Sequence, residues 1–85
     1  MIKDYSIVIL KKEVLGHSWN PDDRDRIYPA GSKGTVLETP RIGVCLVEFP
    51  GDIDEDGFVS TYYNAEVPES DLVPIWNEET EMSTM

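Results

Sequence analysis

The sharpest local pattern in this 85-residue chain is Asp52-Ile53-Asp54-Glu55-Asp56-Gly57. Alternating carboxylates followed by glycine are how a calcium-binding loop opens, with the acids turned inward and the glycine taking the sharp bend. A complete loop would close with a bidentate carboxylate, but that position holds Tyr63. The pattern therefore specifies a weak divalent-cation site at Asp52, Asp54 and Asp56, or else a charged hairpin tip that protects a sheet edge. His17 and Cys45 are each the only residue of their type. A solitary histidine with no ligand partner nearby in sequence reads as a loop residue, and a cysteine at an inward strand position reads as an inert core residue. Gly31 and Gly34 open a strand rather than a helix, so they form no phosphate cradle. The pattern contains no catalytic constellation, and no cofactor is expected.

The aromatic residues offer more. Tyr5, Trp19, Tyr28, Phe49, Phe58, Tyr62, Tyr63 and Trp76 exceed what a small β core needs, since such cores fill mainly with aliphatic side chains. Trp19 and Tyr28 flank the charged run Asp22-Asp23-Arg24-Asp25-Arg26. Tyr62 and Tyr63 are consecutive, so on a strand they point to opposite faces. Aromatic and arginine side chains are the usual anchors of protein interfaces, which makes Trp19, Tyr28, Arg24, Arg26, Tyr62 and Tyr63 the candidate partner-binding residues. The competing expectation is that Trp19 and Tyr28 only fasten their own loop to the domain.

The charge is directional. The first 41 residues carry all seven bases against six acids, a sum of +1, and the remainder carries eleven acids and no base. The net charge of −10 argues against direct nucleic-acid binding, which rests on lysine and arginine neutralising phosphates. It favours a basic partner or solubility alone. No apolar run approaches the ~18–20 residues that span a bilayer. One cysteine allows no internal disulfide, and no apolar leader opens the sequence, so a cytoplasmic protein is expected.

These side chains must be positioned by strands. Tyr5–Leu10 is a β-branched apolar run expected to be buried on both faces. Residues 13–32 show no period and are rich in turn formers, and they read as one long loop. Strands are expected at 34–38, 44–49 and 58–63, with Cys45, Val47 and Phe49 inward by alternation. The segment 50–57 should close a hairpin. Pro68–Leu72 suits one helical turn, and Pro74 confines a last strand at 73–76 to an edge. Residues 77–85 read as a frayed acidic tail beyond a single domain at 1–76.

That order, carried by Pro29-Ala30-Gly31-Ser32-Lys33-Gly34-Thr35-Val36, by Val44 to Phe49 and by Val67-Pro68-Glu69-Ser70-Asp71-Leu72-Val73, resembles the small bacterial SH3-like barrels. The broad group includes the variable chain of ferredoxin–thioredoxin reductase and the barrel of the nitrile hydratase beta subunit. The resemblance implies an all-β, five-stranded barrel with a long first loop and a non-catalytic, partner-binding role. The residues of the signalling SH3 signature are missing.

Three functional expectations follow. The first is an interaction module or accessory subunit that binds a protein through loop and strand aromatics; Trp19→Ala or Tyr28→Ala should then abolish binding without unfolding the domain. The second is an acidic mimic that blocks a basic nucleic-acid-binding protein. The third is the weak cation site at 52–56. A homodimer through the edge strand near Trp76 is a further expectation, because open edges pair.

Overall fold

The computed structural model describes residues 2–77. Seven strands form one antiparallel sheet: β1 (Ile7–Leu10), β2 (Val14–Ser18), β3 (Arg26–Tyr28), β4 (Lys33–Arg41), β5 (Val44–Pro50), β6 (Tyr62–Pro68) and β7 (Leu72–Trp76). Their spatial order is β3-β2-β6-β5-β4-β1-β7. A 3-10 turn at Glu69–Asp71 links β6 to β7. Bulges in the β4–β5 and β1–β7 pairings add local twist, and the sheet curls into a half-barrel around one core.

The core follows strand alternation. Cys45, Val47 and Phe49 of β5 stand opposite Val67, Ala65 and Tyr63 of β6, and all six are buried. Val36 of β4 joins through Val47, and Val8 of β1 stands opposite Gly34. Glycine is required at 34: a Cβ there would lie 2.6 Å from Val47 Cγ1 and 3.0 Å from the Glu48 carbonyl oxygen. The Ile42-Gly43 turn joins β4 to β5 with Gly43 at φ +79°, a region open to glycine at little cost.

The all-β expectation holds, but the strand count is seven rather than five. The additional pair, β2 and β3, comes from residues 13–32, expected to be an unstructured loop. Val14 pairs with Tyr28, Leu15 with Ile27 and Gly16 with Arg26, and β2 continues the sheet by pairing with β6. Charges and turn formers between the two short strands hide their alternation, which Gly16 and Tyr28 carry on the buried side. The strand expected at 58–63 is displaced to Tyr62–Pro68. Residues 52–60 close on themselves: Asp54 Oδ1 accepts from the backbone N–H of Asp56 and of Phe58, and Ile53 bridges Val59. β-Propensity in Phe58-Val59 is outweighed by that local turn. β1 buries Val8 and Leu10 but leaves Ile7 and Ile9 half-buried, so only one of its faces is in the core. The helical turn and the edge position of β7 with its Pro74 are as expected. Of the expected tail, residues 78–85 lie outside the described residues.

Candidate functional site

The first hairpin and the start of β6 build the site. β2 ends at Ser18, which pairs with Tyr63, and the chain then turns through residues 19–23. The turn is tied by short-range polar contacts. Ser18 Oγ donates to Asp23 Oδ2 (2.8 Å) and accepts from the Asn20 N–H (3.1 Å), and Asn20 Oδ1 accepts from the Asp22 N–H (3.0 Å). These are the local side-chain contacts that asparagine, aspartate and serine make in turns. They hold Trp19 at the surface, 63% exposed. Tyr62 opens β6 directly before the inward Tyr63, so its own ring turns outward at 44% exposure. Trp19 and Tyr62 thereby line one groove of about 240 Å³, with Ser18, Asn20 and Asp23 on the hairpin side and Ser60 and Thr61 on the other.

Of the six residues expected to bind a partner, only Trp19 and Tyr62 meet there. Tyr28 and Tyr63 are core residues. Tyr28 stacks on Phe49 with ring centroids 4.6 Å apart, lies tilted to Tyr63 at 6.1 Å, and donates its hydroxyl proton to the Pro50 carbonyl (3.0 Å). Burial pushes the Tyr28 phenol up. Tyr28 therefore fastens its own hairpin, as the competing expectation had it, whereas Trp19 does not. Arg26 is a clip: its guanidinium lies 4.9 Å above the Tyr63 ring and donates from Nη2 to Asp52 Oδ1 (2.8 Å), the contact that chiefly holds its pKa above the ordinary arginine value. Arg24 is exposed on the same connection but does not line the groove. Asp23, Ser60 and Thr61 were not anticipated. For Asp23 the signal was present, in a serine five residues before an aspartate across turn formers.

The cation-site expectation meets a different arrangement. Asp52 Oδ1 is engaged by Arg26, and Asp54 Oδ1 accepts two backbone N–H groups. Among the described residues no three histidine, cysteine, aspartate or glutamate side chains converge to hold a metal ion. Asp52 and Asp54 thus each use a carboxylate oxygen within the fold, in an ion pair and in a turn.

The charge asymmetry is partly resolved by folding. Among the described residues, bases of the first half reach acids of the second: Lys12 to Asp71 (3.8 Å), Arg26 to Asp52 (2.8 Å) and Arg41 to Glu66 (3.5 Å). His17 is exposed on β2 and pairs with Asp25 (3.0 Å). Cys45 has no exposed surface, and burial followed by the Glu69 carboxylate pushes its thiol up. The thiolate is the reactive form, so iodoacetamide should modify Cys45 only as fast as the core opens. Native protein is expected to react at least ~100-fold more slowly than urea-unfolded protein, and equal rates would place the thiol at the surface.

A larger cavity of about 300 Å³ lies between the N-terminal segment and β7, walled by Ile2, Leu72 and Pro74. Of its polar residues Lys3, Glu69 and Asn77 are already engaged, whereas the buried Ser6 hydroxyl has no hydrogen-bond partner among the described residues, and the cavity presents no aromatic ring. Among the described residues no helix is long and apolar enough to cross a membrane.

Compared with protein-family models, with curated proteins and with solved structures, the chain matches none. Its class is therefore given by its own geometry: a small, curled, all-β antiparallel domain. What distinguishes its surface is a groove built from two aromatic residues distant in sequence.

Proposed function

We propose that this protein is a non-catalytic interaction module of SH3-like architecture that binds a protein partner in the Trp19–Tyr62 groove. The observation that carries the reading is the convergence of these two exposed aromatics from separate segments onto one concavity. Large rigid rings beside a groove supply contact area at low entropic cost. The hydrogen-bonded turn under Trp19 supports the same reading, because a preformed surface loses little freedom on binding. The architecture is supported by the strand–hairpin–three-strand–3-10–strand order, in which β2 and β3 are the folded first loop.

Selection from a displayed random-peptide library tests the reading. Peptides retained by the native protein are expected to lose at least ~10-fold in affinity for Trp19→Ala and for Tyr62→Ala. Both side chains are exposed, so the variants should keep the native unfolding midpoint within the ~0.5 kcal/mol usual for surface changes. Retained peptides that bind both variants at full affinity would remove the groove from the account. Basic partners that bind these variants equally well and are released by salt would instead favour the acidic nucleic-acid mimic. We propose a cytoplasmic location, which a lone buried cysteine that forms no internal disulfide suits.

A further inference from the structure

We infer that the groove takes an arginine side chain from an extended, cationic segment of the partner. This rests on the binding-module reading and adds the chemistry of the occupant. The groove's hydrogen-bonding side chains are mostly spent. Ser18 Oγ is used by Asp23 and by the Asn20 N–H, and Asn20 Oδ1 by the Asp22 N–H. Ser60 Oγ donates to the Asp52 carbonyl (3.2 Å), and Thr61 Oγ1 accepts from the Asp52 N–H (2.7 Å). What the groove still offers is two exposed aromatic rings, with the Trp19 indole N–H and the Tyr62 hydroxyl at their edges, and the carboxylate of Asp23.

The rings and the carboxylate select the same group. A tryptophan or tyrosine face attracts a cation through its quadrupole. The Asp23 carboxylate has one oxygen held by Ser18, and none of the ion pairs among the described residues engages it. An apolar occupant would cover that carboxylate without pairing it, which is costly. An anionic occupant would meet Asp22, Asp23 and Asp25, which outnumber Arg24 on this connection, within a chain of net charge −10. Guanidinium is planar, weakly hydrated and forked, so it can stack on a ring and donate to a carboxylate at once; a lysine ammonium does so less well. The same sign of charge that steers a cationic segment toward the protein therefore also orients it in the groove.

The probe is the blocked peptide acetyl-(Gly-Arg)3-amide, titrated into uniformly labelled full-length protein and followed by backbone amide shifts. Its neutral isostere, with citrulline for arginine, and its lysine counterpart serve as comparisons. The arginine peptide is expected to give saturable shifts confined to residues 18–23 and 60–62. The lysine peptide should bind several-fold more weakly and the citrulline peptide at least ~10-fold more weakly. Asp23→Asn, whose amide oxygen can still accept from Ser18, should weaken the arginine peptide about tenfold, and Glu55→Gln should leave it unchanged. Equal binding of the citrulline peptide, equal losses in Asp23→Asn and Glu55→Gln, or no saturable shift would each overturn the inference. If acidic or apolar library peptides bind in a Trp19-dependent way while the arginine peptide does not, the cation is wrong and the groove stands. If no peptide of any kind depends on Trp19, both readings fall.

Discussion

Tyr28→Ala is expected to lower the unfolding free energy by about 3–5 kcal/mol, the usual cost of deleting a buried aromatic side chain. Domains of this size hold only about 5–15 kcal/mol in total, so the variant should be largely unfolded well below the native midpoint. The cause is specific. Tyr28 is the one residue through which β3 reaches the core, stacked on fully buried Phe49 and bonded to the Pro50 carbonyl. Its loss opens a cavity against Phe49 and Tyr63 and releases the hairpin that carries Trp19. Tyr28→Phe keeps the stack and gives up one hydrogen bond, so it should cost about 1 kcal/mol. Urea unfolding of both variants, followed by tryptophan fluorescence, measures the difference. A Tyr28→Ala cost below about 1 kcal/mol would mean that the hairpin is not held by this ring. The same result bears on binding, because Tyr28→Ala acts by unfolding and cannot serve as the surface mutation that the sequence alone made it.

Gly34→Ala should cost about 1–3 kcal/mol, by overpacking rather than by strain. The added methyl would lie 2.6 Å from Val47 Cγ1, 2.9 Å from Phe49 Cε1 and 3.0 Å from the Glu48 carbonyl oxygen. Two of these neighbours are fully buried side chains and the third is backbone of β5, so none can swing away. Gly43→Ala is the contrast: nothing lies within 4 Å, but φ is +79°, so its cost of about 1 kcal/mol is conformational. Combining Gly34→Ala with Val47→Ala should cost less than the sum of the two, because the second change vacates the space that the first needs. Thermal unfolding of the three variants decides. Strict additivity would show that β4 and β5 do not meet as closely as described.

The inward side of the sheet was legible because alternation is a strong signal where one face is buried. Cys45, Val47 and Phe49 read inward from their spacing with Glu48 and are inward. The edge strand with Pro74 and the turn after Pro68 were legible from proline chemistry. The hairpin of β2 and β3 was not, because each strand is short and only Tyr28 brings a large side chain to the core. The position of β6 was missed because β-propensity in Phe58-Val59 ignores the Asp54 carboxylate, which caps a turn there. The groove was half legible. Trp19 and Tyr62 could be chosen as aromatics with somewhere to point, but sequence does not say that Ser18 pairs with Tyr63 and so brings the two rings together. Conversely, Tyr63 and Tyr28 have the same residue type as Tyr62, and only burial separates them in role.

The central claim is that the partner docks on the Trp19–Tyr62 groove. Amide shift mapping with a library-selected peptide, on the native protein and on Trp19→Ala, tests it most directly. Perturbations concentrated at residues 18–23 and 60–62, and lost in the variant, are the predicted result. Perturbations concentrated along β7 at Leu72–Trp76 and unchanged in the variant would contradict the claim and move the interaction surface to the open edge of the sheet, where a second copy of the chain could pair.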